Sequence, residues 1–113
     1  MSTSRLQEYL SSIPLATRWL LGANIGVHAA LFLASYPVQR LAISPPLVLV
    51  HGEYYRLVSS AFVHSGLLHI GMNMSTLLLI GRSLELQYGS LVTVFLSLWM
   101  LLLTGVIFVF SVW

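Results

Sequence analysis

The chain has 113 residues, of which 58% are hydrophobic and only 7% are charged, and its formal net charge is +2. Because soluble domains carry about 25% charged residues, this composition predicts a membrane protein. The small, scattered positive charge argues against a nucleic-acid partner. The absence of cysteine excludes disulfides and cysteine-based metal or redox sites.

Three uncharged stretches are long enough to cross a bilayer, which needs about 20 mostly apolar residues. They lie between Arg18 and Arg40, between Arg56 and Arg82, and after Glu85. The sequence therefore predicts an all-α, multi-pass integral membrane protein that forms one domain over residues 1–113. The predicted spans are 16–36, 61–80 and 91–113.

The N-terminal segment 4–13 has the apolar spacing of a short amphipathic helix at the membrane interface, and Pro14 either ends it or opens the next helix. In the first span, Gly22 and Gly26 form a GxxxG pair, a pattern that permits close contact between helices. Asn24 and His28 share another face of the same span, where they are expected to hydrogen-bond to a neighbouring helix.

The connection 37–60 is expected to form an interfacial loop helix, not a solvated linker. Within it, Ser44 precedes Pro45, the arrangement of a cap followed by proline at the first helical position. Tyr54 and Tyr55 lie beside Arg56, a combination that suits the lipid headgroup layer.

The stretch "FVHSGLLHIGMN" places two histidines and an asparagine, His64, His69 and Asn73, at the start of a span that carries no formal charge. A zinc site is disfavoured, because the histidines are not at i, i+4 spacing and no acidic ligand is near. Two interpretations remain open. The side chains either satisfy nearby backbone groups at the membrane edge, or they donate hydrogen bonds to a developing negative oxygen, as in an oxyanion hole.

Residues 53–90, "EYYRLVSSAFVHSGLLHIGMNMSTLLLIGRSLELQYGS", resemble the rhomboid family of intramembrane serine proteases. The aromatic–arginine pair of the family's first loop matches Tyr55 and Arg56. The family's His-x4-His-x3-Asn series and its Glu and Gly before the third span match the following residues: His64, His69, Asn73, Glu85 and Gly89. Further likeness in the first and third spans extends the resemblance to nearly the whole chain, which corresponds to the N-terminal half of a rhomboid domain.

The resemblance implies a fold of three transmembrane helices equivalent to the first three rhomboid spans. It also implies roles for individual residues. His69 and Asn73 would contribute to an oxyanion hole, and His64 would shape the site from the loop side. Arg56 would fix the first loop, and Glu85, with Gly89, would tie the turn between the second and third spans.

The chain departs from the family pattern in its catalytic residues. Active rhomboids use a serine in a Gly-x-Ser-Gly motif and a later histidine as general base, whereas this sequence has no such motif and no histidine after His69. Taken as a whole protein ending at Trp113, the chain is interpreted as a pseudoprotease, a non-catalytic scaffold or accessory subunit of a membrane complex.

The alternative is that the chain is the N-terminal part of an active protease that cleaves transmembrane substrates, with nucleophile and base beyond Trp113. In either case the expected partners are the lipid bilayer and other membrane-protein subunits, and no cofactor or metal is expected. The expected location is the mitochondrial inner membrane or an endomembrane.

Overall fold

The polypeptide folds into helices joined by short connections, and the computed structural model describes residues 2–113. Seven α-helices follow one another in this part of the chain. They are α1 (Thr3–Ser11), α2 (Leu15–Leu33), α3 (Pro45–Leu49), α4 (Arg56–Ser59), α5 (Leu67–Thr76), α6 (Arg82–Tyr88) and α7 (Ser90–Ser111). Short 3₁₀ turns cover Val38–Arg40 and Ser60–Phe62, and no strand occurs between residues 2 and 113. The expected all-α class is therefore confirmed.

The segment predicted as the second span does not begin at residue 61. The chain bends first, and α5 starts at Leu67. From there it runs through a π-helical turn at Leu77–Gly81 directly into α6, so that the helical path ends at Tyr88. The uncharged stretch 61–80 thus contains a helix, but that helix begins at Leu67 and continues past Arg82 to Tyr88.

Among the helices of residues 2–113, α7 alone is long and apolar enough by itself to cross a bilayer, with a mean hydropathy of 2.5 in its most apolar window. The segments Arg56–Phe62 and Leu67–Tyr88 pass this test together, but they bend by 101° at the break between them. The helix α2 does not pass on its own, because Arg18, Asn24 and His28 offset its apolar residues. Three membrane spans are therefore not confirmed by the helices of residues 2–113.

The connection between α2 and α5 contains the expected short helix, α3. Ser44 is its N-cap residue and Pro45 its first residue, although the Ser44 side chain makes no capping hydrogen bond. The packing core lies where α7 meets α2, α4 and α6, and where α2 meets the π-helical turn. Thr17 and Thr93 are fully buried there, and Val109 is almost fully buried.

Two glycines permit the closest approaches in this core. A Cβ atom at Gly81 would lie 3.2 Å from the Thr17 hydroxyl, and one at Gly105 would lie 3.2 Å from Leu57 Cδ2. The predicted Gly22–Gly26 pair behaves differently. Both residues are exposed, and an added Cβ atom at either would meet no atom within 4 Å.

Candidate functional site

The polar side chains of "FVHSGLLHIGMN" divide between a loop and a helix. His64 precedes α5, whereas His69 and Asn73 lie within it, one turn apart and therefore on the same face. Both side chains on the helix are exposed. An imidazole N–H and an amide N–H that extend from one helix face can both donate to a single negative oxygen, provided that a substrate reaches that face.

The ring of His69 is held at the start of α5 by Ser65. The backbone N–H of Ser65 donates to Nδ1 of His69 at 3.3 Å, and the Ser65 hydroxyl lies 3.1 Å from the same nitrogen. This arrangement resembles a capping box, in which a side chain of the first helical turn accepts a hydrogen bond from the backbone just before the helix. The contact therefore fixes the ring as well as the helix start.

His64 lies between two other histidines. Its ring centroid is 5.9 Å from that of His28 in α2 and 5.2 Å from that of His69, and both pairs meet edge to face. His64 is buried, with an exposed fraction of 6%. Its Nδ1 has no hydrogen-bond partner among residues 2–113. The sequence placed His28 in an interhelical stripe but did not anticipate that it reaches this cluster.

An open cavity of about 1020 Å³ lies beside the histidines, between α2 and the start of α5. Most of its wall is apolar, and its ionisable lining residues are His28, Tyr36 and His64, whereas His69 and Asn73 do not line it. No group of three or more His, Asp or Glu side chains suited to a metal ion occurs between residues 2 and 113. The imidazoles of the cluster can donate and accept hydrogen bonds.

Arg56 connects the start of α4 to the preceding loop. It is 95% buried, and its guanidinium donates to the carbonyls of Gln39 and Ala42 at 2.9 and 2.7 Å. Its Nε also donates to the Glu53 carboxylate at 2.6 Å. This hydrogen bond from Arg56 is the main reason why the pKa of Glu53 lies below its ordinary value. The guanidinium also lies 5.4 Å from the centroid of the Tyr55 ring.

Glu85 connects three helices. Its carboxylate accepts hydrogen bonds from the backbone N–H groups of Ala16 and Thr17, both at 2.7 Å, and from the hydroxyls of Thr17 and Ser90 at 2.8 and 2.6 Å. Burial alone would raise the pKa of Glu85, but the hydrogen bonds from Ser90, Thr17 and Ala16 outweigh it and hold the pKa at about 2. The contact with Ser90 lies within the turn between α6 and α7.

The contacts of Glu85 with α2 were not predicted, although the sequence contains a signal for them. Pro14 is the N-cap residue of α2 and has no side-chain oxygen to accept from the first N–H groups of that helix. A hydrogen-bond acceptor from another segment of the chain was therefore needed.

Gly89 links α6 to α7 with φ of +86°, a left-handed conformation that favours glycine.

A comparison with known protein families matches residues 51–112 to the Rhomboid domain. This range contains the histidine–asparagine series, Arg56, Glu85 and Gly89. Neither a curated protein nor a solved structure matches the chain. Because the family match spans more than half of the sequence, it supports the resemblance identified from the motifs: the chain belongs to the rhomboid family of membrane proteins.

Proposed function

We propose that the chain supplies the first-loop and oxyanion side of a rhomboid-type serine endopeptidase that cleaves transmembrane substrates. The nucleophilic serine and its general base come from helices outside these 113 residues. The observation that carries this proposal is the placement of His69 and Asn73 on one exposed face of α5. Two donors on one helix face suit the stabilisation of a tetrahedral oxyanion, and the ring of His69, which Ser65 holds, needs no rearrangement as charge develops.

The surroundings of the two donors support the same assignment. The His69 ring is held by Ser65 and lies against His64, so that it is positioned before any substrate arrives. The nearby cavity is lined by His64 and Ser65, not by the two donors themselves; it is open and mostly apolar, and in the proposed protease further helices would close it. A hydrolytic site buried in lipid must hold water and polar groups inside protein, and additional spans would provide that enclosure.

A second candidate function is that of a non-catalytic scaffold or accessory subunit in a membrane complex. The open Gly22–Gly26 face of α2 favours it, because both glycines leave room for the close approach of another helix. Under either function we propose a multi-pass topology, in the mitochondrial inner membrane or an endomembrane. The two functions differ in whether a reactive serine accompanies the chain.

The deciding experiment is to isolate the protein from its native membrane and treat it with a fluorophosphonate, which reacts with activated serines. Intact-mass measurement and peptide mapping then locate the label. Labelling of a serine outside residues 1–113, on the same polypeptide or on a stably bound subunit, together with cleavage of a transmembrane peptide, would support the protease. Absence of both labelling and cleavage in a stable complex would support the scaffold.

A further inference from the structure

We infer that Ser65 is a positioning residue that holds the imidazole of His69 in the tautomer with its proton on Nε2. The catalytic consequence of this inference rests on the proposed function: in the proposed protease, the Nε2–H group of His69 is the oxyanion donor. The assignment of the tautomer itself follows from the contacts of the two residues and needs no catalytic activity.

The argument begins with the backbone of Ser65. A backbone N–H can only donate a hydrogen bond, and the N–H of Ser65 is directed at Nδ1 of His69. Nδ1 must therefore accept, which means that it carries no proton. A neutral imidazole has one protonated nitrogen and one acceptor nitrogen, so the proton of His69 lies on Nε2.

The hydroxyl of Ser65 strengthens this choice. Its oxygen lies 3.1 Å from Nδ1 and can also donate to it, because a hydroxyl rotates to suit its partner. Both polar groups of Ser65 thus favour the same tautomer. None of residues 2–113 accepts a hydrogen bond from Nε2 of His69, so this N–H remains available to a ligand.

The contacts also distinguish this role from that of a nucleophile. A serine activated by histidine gives its hydroxyl proton to an imidazole nitrogen that is otherwise free to accept it. Here the single lone pair of Nδ1 of His69 is shared between the hydroxyl and the backbone N–H of the same serine, which makes Nδ1 a weaker base for the hydroxyl proton. Ser65 therefore acts through His69, by orienting its ring and fixing its proton, and does not react with substrate.

The test is to determine the protonated nitrogen of His69 by ¹⁵N NMR of the full chain, labelled at histidine and reconstituted in lipid nanodiscs. We expect Nε2–H in the wild type. Ser65→Ala should lower the ratio of the Nε2–H to the Nδ1–H tautomer about two- to tenfold, the effect of losing one neutral hydrogen bond. Ser65→Thr, which keeps a hydroxyl, should restore it.

Ser75→Ala is the matched control, because Ser75 also lies in α5 but its hydroxyl donates to the Gly71 carbonyl. It should leave the tautomer ratio of His69 unchanged. A wild-type His69 with its proton on Nδ1, or a Ser65→Ala ratio equal to that of Ser75→Ala, would overturn the inference.

The outcome is separable from that of the proposed function. Cleavage activity with a proton on Nδ1 would refute the role of Ser65 and leave the protease standing. The Nε2–H tautomer in a protein without labelling or cleavage would support the positioning by Ser65 and refute the protease.

Discussion

Glu85 accepts two hydrogen bonds from Thr17, one from its backbone N–H and one from its hydroxyl, although the two residues are 68 positions apart. The carboxylate thereby caps the start of α2, where the N-cap residue, Pro14, provides no acceptor. A negative charge at this position is also favoured by the dipole of α2. The junction of α6 and α7 is thus tied to the first long helix by one side chain.

The first prediction concerns this side chain. Glu85→Ala should reduce the free energy of unfolding by about 1.5–3 kcal/mol or more, because the buried N–H groups of Ala16 and Thr17 lose a charged acceptor. Denaturant titration in detergent micelles, followed by circular dichroism, measures the change. Glu8→Ala is the control, since Glu8 lies exposed on α1. Equal effects of the two substitutions would contradict the assigned role of Glu85.

The second prediction is a pH dependence with a definite sign. The pKa of Glu85 is depressed from an ordinary value of 4.5 to about 2. The ionised carboxylate therefore stabilises the fold fully above pH 4.5, and this contribution is lost as the pH falls through about 2. Unfolding titrations between pH 6 and 2 should show declining stability in the wild type and a shallower decline in Glu85→Gln. Parallel curves for the two proteins would refute the prediction.

The third prediction concerns the first loop. Arg56→Lys should loosen the segment around Gln39 and Ala42, because an ammonium group cannot reproduce the hydrogen bonds that the guanidinium makes to both carbonyls and to Glu53. Hydrogen–deuterium exchange of residues 38–56 should become faster. Arg40→Lys serves as the control at an exposed arginine. Unchanged exchange in Arg56→Lys would show that the loop is held by other contacts.

Local sequence patterns located most of the helices. The apolar stretches indicated α2, α5 and α7, and the Ser44–Pro45 pair marked the start of α3. These patterns did not predict where the helix of the second stretch begins or that it contains a π-helical turn. The bend before Leu67 and the π-helical turn at Leu77–Gly81 depend on packing against α2 and α6, which periodicity does not encode.

The candidate site was predictable as a set of residues but not as a set of contacts. The histidine–asparagine motif identified His64, His69 and Asn73. The resemblance to the rhomboid family implied a structural role for Glu85. The approach of His28 to His64 joins residues far apart in sequence. Spacing predicts neighbours along one helix, whereas contacts between helices require the tertiary fold. The catalytic roles of His69 and Asn73 stay predictions.

The fourth prediction tests those roles in the proposed protease. His69→Ala and Asn73→Ala should each reduce kcat for a transmembrane substrate about 100- to 1000-fold, the usual cost of removing one oxyanion donor. His51→Ala is the control, because His51 lies exposed in the loop before α4. Cleavage rates of the purified protein in liposomes measure the effect. Wild-type rates in both variants would exclude the oxyanion role.

The fifth prediction compares two glycines that the structure places in opposite environments. Gly105→Val should destabilise the chain by about 1–3 kcal/mol, because its Cβ would lie 3.2 Å from Leu57 Cδ2 and 3.6 Å from the Leu57 carbonyl oxygen. Gly22→Val adds its side chain to open space and should leave the free energy of unfolding of the isolated chain nearly unchanged.

If α2 binds another helix through the Gly22–Gly26 face, Gly22→Val should instead weaken assembly, seen as dissociation of the native complex in a pull-down. Unimpaired assembly with Gly22→Val would refute the proposed helix contact. Equal free energies of unfolding for Gly105→Val and Gly22→Val would refute the close packing of Gly105 against Leu57.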